Sequence, residues 1–247
     1  MPYQLKRLLH TITELKKVKT VVTMKTLCGY NPQEVRDVMV LRCDIERNLP
    51  HALFWAQKTH ELGIPCTMYF HTRSGCYDPE IFAVIRDLGH EIGYHHECLD
   101  RCQGNFEAAR KLFLREVERF RQDGFPVTTV CSHGEGGLPK NGYECNWELF
   151  ERYPDLLEKA GVAAEVYTTI KDRWHPVYAS DTLRSYRNFW STIDQGSCKS
   201  GLLHILIHTH RWHHSLFSTG WEIKKDLLQT CKNKIRRSRR YNTIAPS

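Results

Sequence analysis

Short apolar runs alternate with amphipathic segments along most of the chain. The run 38–43 (VMVLRC) is apolar, rich in Val, and of strand length, which predicts a buried strand. Residues 50–62 repeat apolar positions at helical spacing and stop at Gly63, which predicts a helix. A strand over 65–70, a helix over 79–88 ending at Gly89, and a short strand over 91–95 follow. The strongest helical period lies in 105–123 (NFEAARKLFLREVERFRQD), opened by Asn105 as a cap and closed by Gly124. Further strands are predicted over 127–132 and 202–207, and a last helix over 221–237. Strand–helix alternation of this kind predicts a parallel sheet or barrel. No repeat or low-complexity linker breaks it, so residues 1–247 read as a single domain with a basic C-terminal segment, 221–247. An α/β barrel needs about 250 residues, which the length allows.

Composition removes several classes and adds one feature. Hydrophobic residues make up 41% and charged residues 26%, which excludes a disordered, collagenous or coiled-coil chain. Lys and Arg total 35 against 28 Asp and Glu, a formal charge of +7. The run 232–240 (KNKIRRSRR) is its main source. It can meet anionic lipid at a membrane surface, or a nucleotide- or pyrophosphate-linked sugar, or be a solvated helix end. No RNA or DNA motif accompanies it, so nucleic acid is not an expected partner. The ten cysteines form no C-x-x-C pair, and Cys43, Cys66 and Cys131 sit inside strand-like runs. With no secretory h-region or cleavage site over 1–19, they read as reduced thiols in a cytoplasmic protein. Cys98 and Cys102 could share a helix face as zinc ligands, but no second pair supports them.

In parallel α/β folds, loops at the C-terminal ends of the strands build the active site. Asp44 and Glu46 follow the first run, and His71, Thr72 and Arg73 follow the second. The third ends in His95 and His96, the fourth is followed by His133 and Gly134, and the last by His208, His210, Arg211 and Trp212. Zinc sites with an open position take three protein ligands from His, Asp or Glu. Asp44 or Glu46, His95 and one more histidine can supply them. A remaining carboxylate can serve as general base, and a further histidine can protonate a leaving group.

These residues resemble a family. RCDIE (Arg42 to Glu46) resembles the first motif of polysaccharide deacetylases, T-F-D-D, or R-H-D-x-D in divergent members. GHEIGYHHE (Gly89 to Glu97) resembles their G-H-E-I-G-x-H motif, and ILIHTHRW (Ile205 to Trp212) their late L-L-H or H-P-x-x-W segment. The three stand in family order over roughly residues 37–212. The resemblance implies a distorted (β/α)7-like barrel, a zinc or other divalent ion, and hydrolysis of an acetyl group on a sugar. It assigns Asp44 as general base and Glu46 as metal carboxylate, with the two roles exchangeable. It assigns His95 as a metal ligand and His208 as general acid. Asp181, in YASDT, matches an acid that orients a catalytic partner.

Two departures stand out. Leu99 occupies the place of the family's second metal histidine, and CSHGEGG (Cys131 to Gly137) replaces R-x-P-Y. His133 is expected to supply the missing ligand, with His96 and Asp100 as alternatives. His96 follows His95 directly, so on a strand it faces the other way. Glycines 134, 136 and 137 can bring backbone N–H groups to an oxyanion, or simply turn the chain. Trp212, with His213 and His214, can form a sugar-stacking lip or pack in the core. The expected activity is removal of an acyl group, acetyl first, from an amino sugar or polysaccharide precursor, free or linked to lipid or nucleotide. The rival expectations are a catalytically silent glycan-binding or scaffolding barrel, and a hydrolase of another C–N bond.

Overall fold

Eight parallel strands form one sheet: β1 (Thr20–Val22), β2 (Val38–Ile45), β3 (Cys66–Phe70), β4 (Glu91–His96), β5 (Thr129–Ser132), β6 (Ala164–Glu165), β7 (Val177–Ser180) and β8 (Leu202–His208). The computed structural model describes residues 5–134, 142–182 and 186–212. Seven strands run in the order β6-β5-β4-β3-β2-β8-β7 and curl into a half-barrel, the expected distorted (β/α)7 form. β1 pairs with the first half of β2, Val38 to Val40, and β3 with the second half, Leu41 to Ile45. Among the described residues no ladder joins β6 to β7.

Ten helices accompany the sheet: α1 (Leu5–Lys16), α2 (Met24–Cys28), α3 (Leu49–Glu61), α4 (Pro79–Asp87), α5 (Cys98–Arg101), α6 (Phe106–Gln122), α7 (Glu148–Arg152), α8 (Leu156–Lys159), α9 (Lys171–Trp174) and α10 (Tyr186–Cys198), among the described residues. The longest, α6, buries Ala109, Leu112, Phe113, Glu116, Val117 and Phe120, one face at helical spacing. Asn105 caps it by accepting from the Ala108 amide, and Gly124 ends it at φ +88°.

The strands predicted from the sequence are present with shifts of one or two residues. β1, β6 and β7 were not anticipated, because two to four residues are too few to show a period. The predicted helix 221–237 and the basic segment lie outside the described residues.

Side-chain alternation divides the sheet into two faces. Met39, Leu41, Cys43 and Ile45 of β2 join the outer core, packed with helix residues such as Trp55, Phe113 and Phe120. Val38 and Val40 join an inner cluster with Tyr69, Cys131, Ala164 and Leu202. Arg42, Asp44 and Glu46 continue that inner row.

At the N-terminal ends of the strands a cleft of about 430 Å³ is lined by Lys25, Arg86, His90 and Glu91 among others. Its buried polar groups are already satisfied. Glu91 accepts from the Lys25 amide and the Thr67 and Thr129 hydroxyls, and His90 contacts the Cys66 amide and the Ala56 carbonyl. The first acid and histidine of GHEIG are therefore structural.

Gly93 has an equally structural task. A methyl group there would overlap the buried Tyr69 ring and stand 3.2 Å from the Thr129 carbonyl oxygen. Gly93→Ala is expected to lower stability by about 1–3 kcal/mol. Trimming the ring as well, in Gly93→Ala/Tyr69→Leu, should cost less than the two single changes together. Denaturant titration of the four proteins measures this, and strict additivity would refute the contact.

Candidate active site

The curl brings the C-terminal strand ends together. Asp44 stands in register with His208 on β8 and Tyr69 on β3, and His95 with Cys131 on β5. Asp44 is 2% exposed and grips the fully buried Arg42, two residues earlier on the same strand. Arg42 Nε donates to Asp44 Oδ1 at 2.8 Å and its terminal nitrogen to Oδ2 at 2.6 Å. Burial pushes the Asp44 carboxyl up, but the guanidinium and the imidazoles nearby hold it below the ordinary carboxylate range. Asp44 Oδ2 also lies 3.5 Å from His95 Nε2.

On the other side, His208 and Asp181 form a buried pair. His208 Nδ1 is 2.6 Å from Asp181 Oδ1, and the His208 amide donates to Oδ2 at 2.9 Å. The Trp212 indole N–H donates to Oδ2 at 2.8 Å, and Arg211 donates to the Asp181 carbonyl. Burial pulls the His208 pKa down, but the Asp181 charge outweighs it, and the ring rises to about 9. Asp181 itself is pulled against its burial to about 2 by the same partner.

Glu46 lies between the two halves. Its Oε1 is 3.3 Å from both His133 Nε2 and His208 Nε2. Burial opposes its ionisation, but these two imidazoles hold the carboxyl well below its usual range.

Beside it, His71, His95 and His133 meet, with ring centroids 4.6, 4.9 and 5.2 Å apart. Two sets of three metal-ligating donors lie within 4.8 Å of one another among the described residues: His71, His95 and His133, and Asp44, His95 and Cys131. Glu46, expected as a ligand with His95 and His133, falls in neither set. His95 Nδ1 sits 3.0 Å from the Cys131 carbonyl, which fixes that nitrogen as the donor and leaves Nε2 for the site. The donors fit an ion such as zinc, which favours imidazole. Both ring nitrogens of the fully buried His71 lack a hydrogen-bond partner among the described residues, and an ion would satisfy one of them.

Buried polar clamps hold the strand ends. Asn146 donates to the His133 carbonyl at 3.0 Å and to Asp100 at 2.7 Å, and accepts from the Leu99 amide at 2.9 Å. Glu116 of α6 accepts from Thr72 at 2.6 Å and also from Tyr94 and Arg101.

His96 faces outward as expected, with Nε2 2.7 Å from Ser132 Oγ and its ring against Phe113 and Phe150. Of the two readings of Trp212, the core one holds. It is fully buried against Phe189 and Trp190, because its indole supports Asp181. Glycines 136 and 137 and His213 and His214 lie outside the described residues. Sequence reasoning placed His71 at a strand end but gave it no role, and it missed the parts played by Arg42, Asn146 and the Trp212 contact. Only His71 stood where a strand-end rule would find it.

No protein-family model matches the chain, and no curated protein matches it. Three solved structures share features of its shape. A family 4 carbohydrate esterase from Streptomyces lividans, in complex with acetate, is 17% identical over 69% of this chain and 78% of its own, with a TM-score of 0.43. The catalytic domain of a peptidoglycan N-acetylglucosamine deacetylase from Eubacterium rectale is 11% identical over 79% and 86%, with a TM-score of 0.49. A variant of the peptidoglycan deacetylase PdaC from Bacillus subtilis is 16% identical over 87% and 100%, with a TM-score of 0.45. At these values the likeness carries no chemistry to this chain.

The His208–Asp181 pair makes a pH-dependent contribution to stability. His208 is raised from 6.5 to about 9, so its share is complete below pH 6.5 and is lost as pH rises through about 9. Asp181 is lowered from 3.8 to about 2, so its share is present above pH 3.8 and is lost as pH falls through about 2. Asp181→Asn should therefore cost most between pH 3.8 and 6.5, and the deficit should shrink as pH rises through about 9. Melting curves of the two proteins across pH, with NMR titration of His208, check this. A deficit independent of pH would refute it.

Proposed function

We propose that this protein is a divalent-metal-dependent hydrolase that removes an acyl group, acetyl first, from the nitrogen of an amino sugar or polysaccharide precursor. One observation carries the reading: an ionised carboxylate, an imidazole cluster and a charged His–Asp pair converge at one end of a parallel half-barrel.

His95 and His133 would hold a divalent ion such as zinc, which would supply Lewis-acid polarisation of the acyl carbonyl and favour deprotonation of water. Asp44 accepts the proton of the attacking water. Arg42 keeps it ionised at neutral pH and fixes its direction. His208 gives its Nε2 proton to the departing nitrogen, which leaves far more readily as a neutral amine than as an anion. Asp181 holds the other ring nitrogen, so the ring stays charged and oriented until it is used. Glu46 touches the His208 Nε2 side and steadies that proton before transfer.

The proposed substrates are small saccharides, free or linked to lipid or nucleotide. The nine cysteines of the described residues are free, which supports a reducing, cytoplasmic setting. No helix among the described residues is long and apolar enough to cross a membrane.

The test is acetate release from N-acetylated amino sugars, free, oligomeric and diphosphate-linked, by protein loaded with zinc. Asp44→Asn should keep the metal and lose about 10²–10⁴ in turnover. Glycan binding with no release from any of these substrates would replace the hydrolase by a silent binding barrel.

A further inference from the structure

We propose that His71 is a metal ligand, and that the ion is held by three imidazoles from three adjacent strand ends, those of His71, His95 and His133. The inference deepens the hydrolase reading, which gives a reason for an ion but does not name this residue.

Four observations carry it. First, His71 is fully buried, and neither ring nitrogen has a hydrogen-bond partner among the described residues. A buried polar group left unpaired is costly, so native chains rarely keep one without a ligand or water. Second, its ring stands 4.6 Å from His95 and 4.9 Å from His133, with donor atoms of all three within 4.8 Å. Third, a carboxylate that could orient the ring lies near its Nδ1. Glu97 Oε2 lies 3.8 Å from His71 Nδ1 and is itself paired with Arg73 at 3.4 Å. A carboxylate behind a ligating imidazole is the usual way such a ring is aimed, and it leaves Nε2 for the ion. Fourth, the rival donors already have partners that direct them to other tasks. Both Asp44 oxygens accept from Arg42, Cys131 Sγ lies 3.5 Å from the Ser132 carbonyl oxygen, and Glu46 sits between His133 and His208.

Three neutral imidazoles favour zinc or cobalt over magnesium or calcium, which take oxygen ligands. Millimolar magnesium should therefore not displace zinc.

The test measures zinc affinity of the full chain by competition with a chromophoric chelator, and records the visible spectrum of the cobalt-loaded protein. His71→Ala should weaken zinc by about 100-fold or more, since loss of an outer partner alone costs 10–100-fold. The cobalt bands should shift even at saturating cobalt. His71→Gln is closer in shape, and its cooperative melt verifies the fold. It should show the same loss. Zinc affinity within tenfold of wild type in either folded variant would overturn the assignment of His71 and leave the metal-dependent reading standing. Failure of the wild-type protein to bind zinc or cobalt would overturn both.

Discussion

Arg42 and Asp44 neutralise each other inside the curl of the sheet, and much of the molecule is arranged around that pair. Neither charge could stay there alone. Removing one partner of a buried ion pair typically costs about 3–5 kcal/mol, because the other is left without water or counter-charge. The two residues stand on β2, an interior strand, one pleat apart, so the backbone itself sets their geometry. Arg42 also reaches outward. Its terminal nitrogen donates to the Tyr167 hydroxyl at 3.1 Å, and its guanidinium lies over the Tyr167 ring at 4.9 Å. Tyr167 follows β6, one edge of the half-barrel. On the other edge, Tyr178 of β7 packs its ring 4.8 Å from His204 of β8. Side chains therefore fill the curl where no ladder closes it.

Alternation of two then decides what the site can contain. The row that holds Val38 and Val40 at the bottom of β2 holds Arg42 and Asp44 higher up and Glu46 beyond the strand. The neighbouring strands obey the same rule. Thr67, Tyr69 and His71 share one face of β3 and its exit, and Glu91, Gly93 and His95 share one face of β4. At Gly93 a side chain is excluded, because the Tyr69 ring occupies its space and bonds Thr129 across the interior at 2.8 Å. Polar groups at the bottom, a ring in the middle and imidazoles at the top form one stack. The clamps made by Asn146 and Glu116 hold the exits of that stack from outside.

The parts of this architecture that were legible in the sequence are those carried by long periodic runs. β2, α3, α6 and β8 have enough residues to show their period, and the interior position of Asp44 and the outward turn of His96 follow from it. The edge strands β6 and β7, two and four residues long, carry no such pattern. Asp181, just after β7, was reached only through resemblance. Its role depends on a contact with a residue 27 positions away, which no local pattern encodes. The structure shows the same kind of long-range dependence for Asn146, which joins α5 to the exit of β5 through one side chain. Trp212 was ambiguous because an aromatic residue after a strand can serve either face. The turn over Thr209–Arg211 settles it by returning the indole to Asp181.

The leucine at position 99 explains why the imidazoles come from strands. Leu99 is fully buried on α5, and its amide is tied to Asn146, so this short helix gives its side chain to the core and not to the site. The three clustered histidines stand instead at the end of β4 or just past β3 and β5. Adjacent strands lie about 4.8 Å apart, close to the 4.6 Å between the His71 and His95 rings and the 5.2 Å between those of His95 and His133. His71 and His133 stand two strands apart and still meet at 4.9 Å, so their exits beyond β3 and β5 lean toward each other over His95. The His208 half is built differently, from a strand end, a tight turn and an indole, and it rests on hydrogen bonds to one carboxylate. Glu46 touches both halves at 3.3 Å through a single oxygen. A shift of either half would stretch one of those contacts, so this side chain couples the rigid histidine platform to the protonated histidine opposite.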